Sequence, residues 1–154
     1  MVAAGMVERT EASGRWSETL RRTVTALAFA VPAAAAVFAG SPYLPIFAAA
    51  IAVVMAWEWM SVTGRARFSV AWAVLAGLLV AAVAAAAWGR FAWGFALIGA
   101  AVPAVYAVAR AQRQLNAGAA AAGALYVGVP ALALLWLYAR PEIGRALVVW
   151  LIAI

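Results

Sequence analysis

An all-α bundle of transmembrane helices, with five full spans and the start of a sixth, is the fold class this sequence predicts. Three observations lead there. Of the 154 residues 69% are hydrophobic and 10% charged, more apolar surface than a soluble domain of this size can hide. Apolar runs long enough to cross a hydrocarbon core of about 30 Å recur along the chain. All eleven basic residues are arginines, and they sit in the gaps between those runs, where they orient the spans and meet anionic headgroups. An isoelectric point near 11.1 would suggest nucleic acid in a soluble protein; here nucleic acid is not an expected partner.

Met1 to Thr19 is polar and of mixed charge, and reads as a flexible cytoplasmic tail; residues 20–154 form the membrane region. Arg21 and Arg22 precede an apolar run from Val24 to Ala39 with Pro32 inside it. A cleaved signal peptide ending at Val37-Phe38-Ala39, a twin-arginine signal and an uncleaved first span all fit this pattern. The third is preferred, because more spans follow at once and no exported soluble domain does. Gly40 to Tyr43 is an uncharged tight turn. Span two, Leu44 to Val62, makes a helix of about 28 Å. Thr63 to Phe68 is a short basic loop with Arg65 and Arg67. Span three, about Ser69 to Trp88, carries Ala73 and Gly77 at a spacing that lets helix backbones approach closely. Gly89-Arg90 turns the chain into span four, about Phe91 to Ala109, which contains Pro103. A polar loop from Arg110 to Asn116 leads to span five, about Ala119 to Tyr138, with Gly123, Gly128 and Pro130. Arg140 to Arg145 is the last loop, and Ala146 to Ile154 opens a sixth apolar run.

With the tail in the cytoplasm, that side holds eight arginines and the other three, Arg90, Arg140 and Arg145. This is the positive-inside bias. The expected location is a bacterial inner (plasma) membrane with the N-terminus cytoplasmic. Nine helical residues after Arg145 reach only about 13 Å, which would leave a terminal carboxylate inside the bilayer. The expectation is therefore a longer protein whose front part this is.

The missing residue types exclude much chemistry. The chain has no Cys, His, Asp or Lys, hence no disulfides, thiol or imidazole catalysis and almost no route to a zinc site. Hard cations need carboxylates, and three of the five (Glu8, Glu11 and Glu18) lie in the tail. No metal ligand and no catalytic residue is assigned within the chain. Glu58 is the one acid inside a long apolar run, flanked by Trp57 and Trp59. An acid at the edge of a membrane helix suggests a functional site; pairing with Arg65 or Arg67, or contact with water, is the structural alternative. Arginine's planar fork suits phosphate, so Arg21, Arg22, Arg110 and Arg113 are candidate phosphate or headgroup contacts, with topology marking as the alternative. Pro32, Pro103 and Pro130 free the carbonyls of Ala28, Gly99 and Tyr126. They either line a cavity between kinked helices or serve packing alone. No glycine-rich phosphate loop occurs.

Three stretches carry a family resemblance. The first is Arg21-Arg22-Thr23-Val24-Thr25-Ala26 with Pro32, and the second is Ala56-Trp57-Glu58-Trp59. The third is Gly123-Ala124-Leu125-Tyr126-Val127-Gly128-Val129-Pro130, followed by Gly144-Arg145-Ala146-Leu147 and Trp150-Leu151. In this order and spacing the chain from Leu20 to Ile154 resembles the N-terminal half of the phosphatidate cytidylyltransferases, or CDP-diacylglycerol synthases. The resemblance implies a membrane nucleotidyltransferase of phospholipid biosynthesis that joins CTP to phosphatidic acid, releasing pyrophosphate. It implies Mg²⁺, with ligands outside this chain, because the family's metal-binding aspartates and its C-terminal Ser/Lys/Arg/Asp-rich signature have no counterpart here. This stretch by itself is expected to be inactive, supplying membrane anchoring and a wall of the lipid-access cavity. Glu58 falls in a family motif as a candidate supporting polar residue. Expected partners are membrane lipids, phosphatidic acid and CTP, with a homodimer left open. The competing class is a small non-enzymatic membrane protein, either a transporter subunit or a structural partner.

Overall fold

A computed structural model describes residues 30–63 and 69–153, with positions 23, 24, 26 and 28 before them. The tail, Arg21, Arg22, Arg65 and Arg67 lie outside the described residues. Among the described residues six helices follow one another: α1 Ala30–Ala39, then α2 Tyr43–Thr63, α3 Val70–Ala87, α4 Phe91–Ala111, α5 Ala117–Tyr138 and α6 Gly144–Ala153. There is no strand among the described residues. Four helices, α2 to α5, are long and apolar enough to cross a membrane. The molecule is a helical bundle of an integral membrane protein. Helix is the expected form, since in lipid the backbone must satisfy its own polar groups.

Turn chemistry sets the ends of the helices. At the end of α3 the Arg90 N–H reaches the Ala85 carbonyl and the Gly89 N–H the Ala86 carbonyl, both at 2.9 Å. This double closure needs a left-handed residue, and Gly89 supplies it at φ 74°. Ser69 Oγ accepts from the Trp72 N–H at 3.1 Å to start α3, and Asn116 Oδ1 accepts from the Ala119 N–H at 3.2 Å to start α5. Gly144 and Arg145, expected in the last loop, belong to the first turn of α6.

α5 is the central helix. It packs on α2, α3, α4 and α6, whereas α2 and α6 both rest on α5 without packing on each other. The core has two layers. One gathers Ala52, Ala56, Met60, Leu75, Val105 and Ala120 around the Thr63 end of α2. The other gathers Val37, Leu44, Ile98, Leu132 and Val148 around the opposite end. The α2 stripe (Leu44, Ala48, Ala52, Ala56, Met60) is buried at every fourth residue, the ridge that fits a facing groove. No buried residue among the described ones is polar or charged.

The expected close approach through Ala73 and Gly77 does not occur. Both are exposed, and a Cβ added at Gly77 would meet nothing within 4 Å. α3 buries Ala71, Leu75, Leu79, Ala82 and Ala86 instead, which turns Ala73 and Gly77 outward. Close approach falls at Gly123 and Gly128 of α5: a Cβ at Gly128 would lie 2.8 Å from Ile98 Cδ1 and 3.0 Å from Leu79 Cδ2.

The two ends of the bundle differ. Tyr43, Trp88, Trp93 and Trp136 are 60%, 80%, 67% and 45% exposed, and all four lie at the end where α2 starts and α5 stops, as in an interfacial aromatic belt. A side-chain bond ties this end together: the Tyr138 hydroxyl donates to the Val37 carbonyl at 3.1 Å. Tyr138→Phe is expected to cost about 1 kcal/mol and to speed amide exchange over 37–40. Unchanged unfolding in detergent together with unchanged exchange would show that the bond holds nothing.

Candidate functional site

The opposite end carries every described candidate. Trp57, Glu58 and Trp59 lie on α2 just before its last turn. Helical phase sends them in different directions, because Ala56 and Met60 hold the buried face. Trp59 turns onto α5. Its indole N–H donates to the Ala119 carbonyl at 2.8 Å, and its ring stacks on Tyr126 at 4.7 Å between centroids. Gly123 leaves the space the indole fills: a Cβ there would lie 2.7 Å from Trp59 Nε1. Glu58 faces away from the bundle and is exposed. Its backbone carbonyl accepts from Ser61 Oγ at 2.7 Å, and its carboxylate has no ion pair among the described residues.

Arg110 and Arg113 are exposed at this same end, where α4 turns into α5. Arg113 is the unusual member. The Gln114 N–H reaches the Ala109 carbonyl and the Arg113 N–H the Arg110 carbonyl, both at 3.0 Å, repeating the closure that ends α3. Here arginine sits at φ 54° where α3 uses glycine, at a cost of about 1 kcal/mol. The turn also delivers Gln112 to α3: Gln112 Oε1 accepts from the Ala71 N–H at 3.3 Å and from Gln114 Nε2 at 3.2 Å. The sequence reading missed both the Gln112 cap and the Trp59 anchor. A glutamine just past a helix end gives no sign of which neighbouring helix it serves. Ala119 and Gly123, spaced like Ala73 and Gly77, were the available sign of a close approach on α5.

These residues share one end without forming a closed constellation. No contact joins Glu58 to Arg110 or Arg113 among the described residues. Nor does the donor set fit Mg²⁺. No three potential ligands cluster among the described residues, and the two described carboxylates, Glu58 and Glu142, stand at opposite ends of the bundle.

A groove of about 710 Å³ runs along α5 between α2 and α6, within the size range of small-molecule sites. Phe47, Ile51 and Met55 form one wall, and Leu151 stands on the other. Tyr126, Pro130 and Leu134 belong to the floor. Of the three prolines for which cavity lining and packing were the alternatives, Pro130 lines the groove; Pro32 and Pro103 are exposed elsewhere.

Fold and groove define a helical integral membrane protein with an apolar cleft along α5. No family model matches the chain, and neither a curated protein nor a solved structure matches it.

Proposed function

We propose that this chain is the membrane-embedded part of a phosphatidate cytidylyltransferase. The carrying observation is that two of the three stretches behind that resemblance dock on each other. Trp59 of Ala56–Trp59 stacks on Tyr126 of the Gly123–Pro130 stretch and fills the space beside Gly123. Residues that resemble a family in separate segments gain weight when they meet as one packing unit. A second support is Arg113, which keeps an arginine where glycine would relieve the turn, as expected when the side chain has a task such as phosphate contact.

In this reading the first span begins near Val24, giving five full spans and the start of a sixth. The eight-to-three arginine bias puts the N-terminus and the Glu58 end in the cytoplasm of a bacterial plasma membrane, where CTP is present. An oxygen of the lipid phosphate attacks the α-phosphorus of CTP. The bond from that phosphorus to the bridging oxygen breaks, and pyrophosphate leaves with the electron pair. Mg²⁺ would be held by residues outside these 154, and no step is assigned to a side chain of this chain. Arg110 and Arg113, with Arg21 and Arg22, would contact phosphate, and Glu58 would be a positioning residue.

The test is formation of CDP-diacylglycerol from CTP and phosphatidic acid by the protein that contains this chain. Glu58→Gln is expected to lower kcat/KM about tenfold at normal protein level, the size of one charged hydrogen bond, with partial recovery in Glu58→Asp. Unchanged activity would remove Glu58 from the site. Absence of any CTP-dependent product would remove the enzyme reading and favour a non-enzymatic membrane protein.

A further inference from the structure

The groove lies mostly in the Tyr43 half of the bundle's height, reaching slightly past its middle. On α5 its floor runs from Leu125 to Leu134, about 13 Å of helix axis. That is close to the depth of a single leaflet's hydrocarbon, half of a core of about 30 Å. Tyr126, stacked on Trp59, is part of the lining toward the Glu58 end. Above the other end stands the aromatic belt, and above that a fixed cation. The Arg140 guanidinium lies 4.0 Å over the Trp136 ring, an arrangement that holds the charge in place while leaving its N–H edges free. Arg140 is exposed and has no ion pair among the described residues. Trp136 shares an exposed face of α5 with Leu125 and Val129, both groove residues. That face leads from the guanidinium down into the groove.

A cation at headgroup level, an aromatic ring at the interface and an apolar trough one leaflet deep form the profile of an anionic phospholipid. We infer that the groove between α2 and α6 holds an acyl chain of a phospholipid whose phosphate sits on Arg140. The inference does not rest on the proposed enzyme activity. In that reading the substrate phosphate would meet CTP at the Glu58 end, so this lipid, at the opposite end, is a bound component and not a reactant. Lipid fits better than a second helix here, because the lined stretch of α5, about 13 Å long, is well short of the full height that a helix crossing the bilayer would need.

Native mass spectrometry of the chain released from nanodiscs tests this, using phosphatidylcholine discs with and without phosphatidylglycerol. The expected result is one retained phosphatidylglycerol per chain, favoured about tenfold over phosphatidylcholine, as for one charged hydrogen-bonded contact. Arg140→Gln should abolish the preference and Arg140→Lys should keep most of it. Val129→Trp, which fills the groove from an exposed position, should lower retention of both lipids. Equal retention of the two lipids by the unaltered chain would overturn the inference. So would a preference that survives Arg140→Gln, retention unaffected by Val129→Trp, or recovery of a dimer without lipid.

Discussion

Gly123→Val is expected to lower the stability of the bundle by about 3 kcal/mol or more. The added carbons would occupy the place of the Trp59 indole, whose Cδ1 and Nε1 crowd the Cβ position. The ring has little freedom to step aside, since its N–H is bonded to the Ala119 carbonyl and its face is stacked on Tyr126. Overpacking and loss of the indole bond therefore act together. Unfolding in mixed micelles, measured on Gly123→Val, Trp59→Ala and the double variant, checks this. With the indole gone, the valine should cost little or nothing, since valine is a better helix former than glycine by a few tenths of a kcal/mol. Additive costs would mean that the two residues are energetically independent and that the α2–α5 junction lies elsewhere.

Gly144→Val should release α6. A Cβ at Gly144 would collide with the Leu137 carbonyl oxygen and lie 2.6 Å from that of Tyr138. Both are backbone atoms at the end of α5, and Tyr138 is tied to Val37, so the strain falls on the short helix. Val148, fully buried on α6, reports the outcome. Because the chain has no native cysteine, Val148→Cys places a single thiol there. In the parent background it should resist a membrane-permeant maleimide. Adding Gly144→Val should raise the labelling rate about a hundredfold, equivalent to ~2.7 kcal/mol of docking energy. Unchanged protection would show that the junction can be rebuilt without moving α6.

The lengths of the helices were legible because a span in lipid must be apolar and about twenty residues long; α2 to α5 fall within a residue or two of the expected bounds. Which face of each helix is buried was not. In a soluble protein the outward face is polar and the pattern shows the inward one. Here the outward residues of α3, such as Ala73, Val80 and Ala81, are as apolar as the inward Ala71, Leu75 and Leu79, so Ala73 and Gly77 looked like a contact and are not one. Glu58, Arg110 and Arg113 could be placed at one end from order alone. The partner of Trp59, however, is sixty residues away in the chain, and no local spacing encodes it. The groove was anticipated only through Pro130, since its walls come from helices that do not touch each other.

The bond between Tyr138 and Val37 spans 101 residues, which gives the molecule a timetable as well as a clasp. At a synthesis rate of about 5–20 residues per second, the end of α1 leaves the ribosome roughly 5–20 s before its partner does. Throughout that interval Val37 has neither the hydroxyl that will bind its carbonyl nor the Leu132 and Val148 layer that will bury its side chain. The early helices can pack α2 on α3 and α3 on α4 in that interval, but they wait without the central helix. Only when α5 arrives can the Tyr43 end of the bundle close.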